Sequence, residues 1–156
     1  MSAGPPQPGD QATLLTLAHV ERWRDADLGR AAADGELESA IESIARAAGL
    51  DTREPFAFII EGELTALTMH VINGECPMAG SGDEAGPHAP YRPRLDRPTR
   101  GRLIGFYATG REGEMTHHGT RTHAHAVLQY EGRTITGHVE SVSVAAGAAV
   151  RVPDTR

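Results

Sequence analysis

Arg121-Thr-His-Ala-His-Ala-Val-Leu-Gln-Tyr130, then Glu131-Gly132, then Arg133-Thr-Ile-Thr-Gly-His138-Val-Glu140, reads as two strands joined by a tight turn. Side chains at i and i+2 of a strand share a face. A two-residue turn at Glu131-Gly132 places His125 opposite His138 and His123 opposite Glu140. Directly opposed Cβ atoms lie roughly 4.5–5.5 Å apart. One face of the hairpin then gathers three imidazoles and a carboxylate, a donor set for a divalent cation with a position left for water or substrate. Neutral imidazole is the commonest ligand of Zn2+; Ni2+, Cu2+, Fe2+ or Mn2+ also suit such donors. The register is the step on which this depends, because Glu-Gly is a weaker hairpin signal than Asn-Gly or Asp-Gly.

Other polar groups surround the hairpin. Glu140 can serve as a fourth ligand, hold an imidazole from behind, or act as an acid or base; the bland reading is a solvated strand residue. Glu112, Glu114 and the pair His117-His118 lie in the glycine-rich stretch 109–120 just before the hairpin. Either histidine could reach the open metal position or hydrogen-bond a substrate, against the alternative of an exposed loop side chain. The candidate catalytic set is therefore Glu140, His70, His117 and His118, with Glu114 and Arg121 as candidate substrate contacts. His19 and His88 read as surface residues. Cys76 is the sole cysteine, which excludes an intramolecular disulfide.

Upstream, the pattern reads as α+β. Leu14–Val20 is apolar and Glu21–Leu28 charged, with Trp23 anchoring that region on the core. A helix follows, with Asp34 as cap, Leu37, Ile41 and Ile44 on one face, and Gly49 at its end. Phe56–Ile60 and Leu64–Ile72 read as strands about a turn at Glu61-Gly62, and the alternation points His70 away from Leu67, Met69 and Val71. Residues 73–100 read as a long loop of the kind used for lids. Arg102–Ala108 and Ala148–Val152 are further strands. The expected architecture is a mostly antiparallel sheet packed with one or two helices, the metal site on its C-terminal hairpin. Residues 1–12 read as a disordered tail and 13–156 as a single domain.

The formal charge of −6 argues against nucleic acid as the main partner. The arginines 92, 94, 97, 100 and 102 read as a proline-broken loop leading into a strand. No segment approaches the ~20 apolar residues of a membrane span, and no signal-peptide pattern opens the chain. A cytoplasmic protein that binds a small molecule, without nucleic acid or membrane partners, is the expectation, with a homo-oligomer as its state. Walker, dinucleotide and Gly-x-Ser-x-Gly fingerprints do not occur, so any chemistry rests on the metal.

Phe58-Ile-Ile-Glu-Gly62, the following strand, Pro90-Tyr-Arg-Pro93, Gly101-Arg-Leu-Ile-Gly-Phe106, His123-Ala-His125 and Gly137-His-Val139 resemble, in order, the C-terminal half of α-acetolactate decarboxylase. The resemblance spans roughly residues 36–144, and its specific part is the His-x-His then Gly-His pair. The wider superfamily includes the PPC (plants-and-prokaryotes) domain and a metal-dependent ester hydrolase type. The resemblance implies zinc on His123, His125 and His138. It also implies a lyase that decarboxylates or rearranges a chelated 2-hydroxy-3-oxo acid, with a nearby acid protonating the carbon. Several features depart from the family. The hairpin is two residues longer, and the preceding loop gains Thr116-His-His-Gly119. The strand arginine that meets substrate in the family falls at His70, and the family's N-terminal half, source of a catalytic glutamate, has no visible counterpart. A hydrolase or cyclase on another small metabolite, and a non-catalytic PPC-like binding module, stay open as alternatives.

Overall fold

The computed structural model describes residues 8–9, 16–71, 91–95 and 97–155. The 1–12 segment, apart from 8–9, lies outside the described residues, as do Cys76 and His88. Among the described residues the elements are β1 (Trp23–Asp27), α1 (Leu37–Ala47), β2 (Phe56–His70), β3 (Thr99–Tyr107), β4 (Thr122–Tyr130), β5 (Arg133–Val144) and β6 (Ala149–Pro153). No helix among them is long and apolar enough to cross a membrane.

The length of β2 decides the architecture. Its first half, Phe56–Leu64, pairs with β3, and its second half, Leu64–His70, pairs with β5. Since β3 also pairs with β4 and β4 with β5, four antiparallel strands close into a barrel. β6 continues the line of β5 along Ile59–Glu61 and carries β1 on its far side. Inward positions are apolar and fully buried, including Phe58, Ile60, Leu64, Leu103, Val144 and Val150. Helix α1 adds Leu37, Ile41 and Ala45 to the same core. Closure leaves the four barrel strands few unpaired edges, and burial of this apolar set holds them together.

Glu61-Gly62 is not a turn: the strand runs through it, with Glu61 opposite Arg102 and Gly62 opposite Gly101. A β-carbon at Gly62 would collide with Ala148, so glycine serves close packing there rather than reversal. The stretch 73–100 is not wholly loop. β3 begins at Thr99, and Tyr91 and Arg94 bridge to Val71 and Thr68 of β2. Pro93 cannot donate, yet its carbonyl accepts from the Met69 N–H at 3.2 Å, so proline interrupts this pairing without abolishing it. The charged stretch around Trp23 is strand β1. Asp34 does not cap α1; its carboxylate accepts from the Val142 N–H at 3.1 Å, and Glu36 occupies the cap position.

The hairpin keeps its expected register, Tyr130 opposite Arg133 and His125 opposite His138. Glu131 and Gly132 take φ of 50° and 75°, the mark of a type I′ turn whose twist suits the flanking strands. The pairing stops at His125–His138, however, so His123 does not face Glu140. Beyond that point β5 follows β2, with Val139 opposite Met69 and Ser141 opposite Thr68, which leaves Glu140 in a bulge. A bulge re-aims side chains, and bulges cluster near functional sites.

Candidate metal centre

Because Ala124, Ala126 and Leu128 turn toward the barrel interior, His123 and His125 stand on its outer face. Across the hairpin, Gly137 faces inward where a β-carbon would come 2.9 Å from the His70 carbonyl oxygen. A side chain there would push β5 from β2, which gives a physical reason for glycine before His138. His138 projects outward with His123 and His125, and ligand nitrogens of the three lie within 4.8 Å of one another. The His123 and His138 rings cross nearly edge-on, with centroids 4.7 Å apart, and those of His123 and His125 stack at 5.4 Å.

Their chemistry fits a divalent cation. Burial holds the His138 imidazole down to about 3, assisted by the neighbouring His123, His117, His70 and His125. His125, though more open to solvent, is lowered in the same direction by desolvation against the barrel wall and by His123 and His70. Both are therefore neutral at pH 7, with a lone pair to offer. His123 Nδ1 lies 3.0 Å from the Met115 carbonyl oxygen. A carbonyl only accepts, so Nδ1 carries the hydrogen and Nε2 is left with the lone pair that could meet a cation.

A cleft of about 540 Å³ opens beside the triad, lined by Glu38, Phe58, His70, His117, His138 and Glu140 among others. His70 and His138 pair directly across β2 and β5, so His70 joins the same face. Its Nδ1 lies 2.8 Å from Glu140 Oε1, and the carboxylate accepts from it. Arg92 Nε stands 3.2 Å from the same oxygen. His117 Nε2 lies 2.8 Å from His138 Nε2. Burial lowers the His117 imidazole, with His123, His70 and His118 adding to the effect. Thus His70, Glu140 and His117 come together with the triad.

Three other candidates lie differently. His118 turns back over Gly113. Glu114 is exposed and pairs with Arg111 at 3.2 Å. Arg121 is engaged by helix α1: its guanidinium lies 2.6 Å from Glu42, 3.5 Å from Glu38 and 2.8 Å from the Tyr107 hydroxyl. Sequence reasoning missed Glu38, whose Oε1 accepts from the N–H groups of Arg121 (2.7 Å) and Thr122 (3.1 Å) and from the Thr122 hydroxyl (3.0 Å). No spacing signal reveals a contact across more than eighty residues. In the sequence Arg92 is one of a string of loop arginines, any of which could meet a substrate anion, and the Pro90-Tyr-Arg-Pro93 resemblance is the signal that singles it out.

No family model matches the sequence, and no curated protein matches it. Solved structures share its fold. α-Acetolactate decarboxylase from Bacillus subtilis strain 168 superposes with a TM-score of 0.60 at 16% identity, covering 88% of this chain and 53% of that one. A plant- and prokaryote-conserved (PPC) protein of Pyrococcus horikoshii gives 0.53 at 13% identity, covering 90% of this chain and 84% of that one. A metal-containing protein of Archaeoglobus fulgidus gives 0.51 at 16% identity, with coverage of 90% and 85%. The chain spans about half the length of the decarboxylase structures it matches, 53% and 54%. At these identities the likeness is one of fold.

Proposed function

We propose that this protein is a metal-dependent lyase acting on a small 2-hydroxy-3-oxo acid, with His123, His125 and His138 holding the cation, zinc in the first instance. The observation that carries this reading is the convergence of three imidazole nitrogens within 4.8 Å on the outer face of a barrel shared with α-acetolactate decarboxylase. A divalent cation held by these three histidines would supply Lewis-acid polarisation of the substrate's hydroxyl and carbonyl oxygens. The chain's own residues do the rest. Glu140 accepts the His70 Nδ1–H, which fixes the ring and leaves Nε2 as the atom that takes up a proton from water and passes it on. As the carbon–carbon bond to the carboxylate breaks, carbon dioxide leaves and the electron pair stays on the substrate carbon. His70 Nε2 delivers a proton to that carbon and recovers one from water. Arg92, beside Glu140, brings a cation to the position where the family's strand arginine is replaced by His70.

Incubating metal-loaded protein with acetolactate should yield acetoin. His70→Gln and Glu140→Gln should each lower kcat by about a hundredfold or more with metal content unchanged. Full metal content without acetoin would move the reading to a hydrolase or cyclase of another chelating metabolite.

One observation favours a second reading, a non-catalytic PPC-like binding module. The chain covers 84% of the PPC protein against 53% of the decarboxylase. In that case the metal only braces the hairpin, and substitution of His70 or Glu140 changes no turnover because there is none.

A further inference from the structure

We propose that His117 is a fourth ligand of the metal held by His123, His125 and His138. This rests on the metal-centre reading above and goes beyond it, since that reading leaves the fourth position open. His117 Nε2 stands 2.8 Å from His138 Nε2. Two nitrogens bound to one zinc at about 2.0–2.1 Å in tetrahedral geometry stand roughly 3.3 Å apart. The observed contact is within about half an ångström of that spacing. Widening that one contact by about half an ångström would let both lone pairs meet one ion without undoing the loop.

Ring geometry points the same way. His138 is crossed at 79° by His123 and at 82° by His125, with centroids 4.7 and 5.5 Å away. His117 crosses it at 81° with a centroid distance of 4.6 Å. His117 thus meets His138 at the same angle as the triad members do, although its ring centroid lies 5.8 Å from that of His123 and it stands outside the set of nitrogens that converge within 4.8 Å.

The loop that carries it is fastened rather than loose. Gly113 N–H donates to the Thr116 carbonyl at 2.7 Å, and the Thr116 hydroxyl donates to the Thr120 carbonyl at 2.7 Å. The Thr120 hydroxyl donates back to the His117 carbonyl at 3.1 Å. Met115 in the same loop accepts from His123 Nδ1, so one short segment orients a triad member and presents the extra imidazole. The neighbouring His118 offers no such approach, because its ring lies over Gly113. With His117 bound, the resting centre would carry four nitrogens, and the substrate oxygens of the reaction proposed above would have to displace His117 to reach the cation.

X-ray absorption on zinc-loaded protein, with visible spectra of the Co2+ form and direct metal titration, tests this on wild type, His117→Ala and His118→Ala. Wild type and H118A should show four imidazole nitrogens. H117A should show three plus an oxygen, a changed Co2+ spectrum, and affinity weakened by at least about tenfold. A wild-type shell of three imidazoles with H117A unchanged in spectrum and affinity would overturn the inference and leave the three-histidine centre standing. Failure of wild type to bind zinc or Co2+ at all would sink the centre and this inference together.

Discussion

Desolvation governs the individual side chains of the centre. His138 is 8% exposed and sits among four other histidines, so its charged form is disfavoured by burial and then by its neighbours. The consequence for metal-free protein has a definite sign. An unfolded histidine titrates near 6.5, and folded His138 near 3. Between those values the unfolded chain binds the extra proton, so the stability tied to neutral His138 is present above about pH 6.5 and is lost as pH falls toward 3. Denaturant melts of apo protein should therefore give a lower midpoint at pH 5 than at pH 7. His138→Gln should flatten that difference; an equal slope in the variant would assign the pH dependence elsewhere.

Elements position those side chains, and two joints between elements can be weighed. In the β4–β5 turn, Glu131 holds φ of 50°, a conformation that costs an ordinary L-residue roughly 1–2 kcal/mol and asparagine less. Glu131→Asn should raise stability by about 1 kcal/mol in urea melts without altering metal binding. A destabilised variant would mean that the side chain, and not the backbone, sets the turn. The second joint is Glu38, which ties α1 to the start of β4 through two N–H groups and a hydroxyl. Glu38→Ala leaves these partly buried donors unmet and should cost about 1–3 kcal/mol. Weaker metal binding should accompany it, because Thr122 precedes His123. An unchanged melt would show the clamp to be dispensable.

What could be read in advance follows the range of the interactions. The facing of His125 and His138 needed only alternation and a two-residue turn, both local, and it appeared in the sequence. Alternation puts Glu140 on the correct strand but opposite the wrong partner. Its bulge arises from the pairing of β5 with β2, whose residues lie some seventy positions earlier. The Glu61-Gly62 turn failed for the same reason: Gly62 answers to Ala148, a contact that no window around residue 62 contains.

In the molecule as a whole, barrel closure gives the scaffold a core of its own, apart from the face that carries the histidines. The four strands are paired around the ring and their inward side chains are buried without reference to the outer face where the histidines stand. Removing metal should therefore lower the melting temperature without unfolding the protein. A ligand at a hundred times its Kd contributes about 2.7 kcal/mol, which for a domain of this size is roughly 5–10 °C. Far-UV circular dichroism should be nearly unchanged after chelation. Cooperative loss of strand signal would instead make the metal a structural element of the fold.

The most direct measurement is the metal content of purified protein, by elemental analysis, in wild type and in a His125→Ala/His138→Ala variant. One divalent cation per chain is expected in the first and none in the second, with both folded by circular dichroism. Equal metal in the two proteins, or none in wild type after loading with zinc, would contradict it.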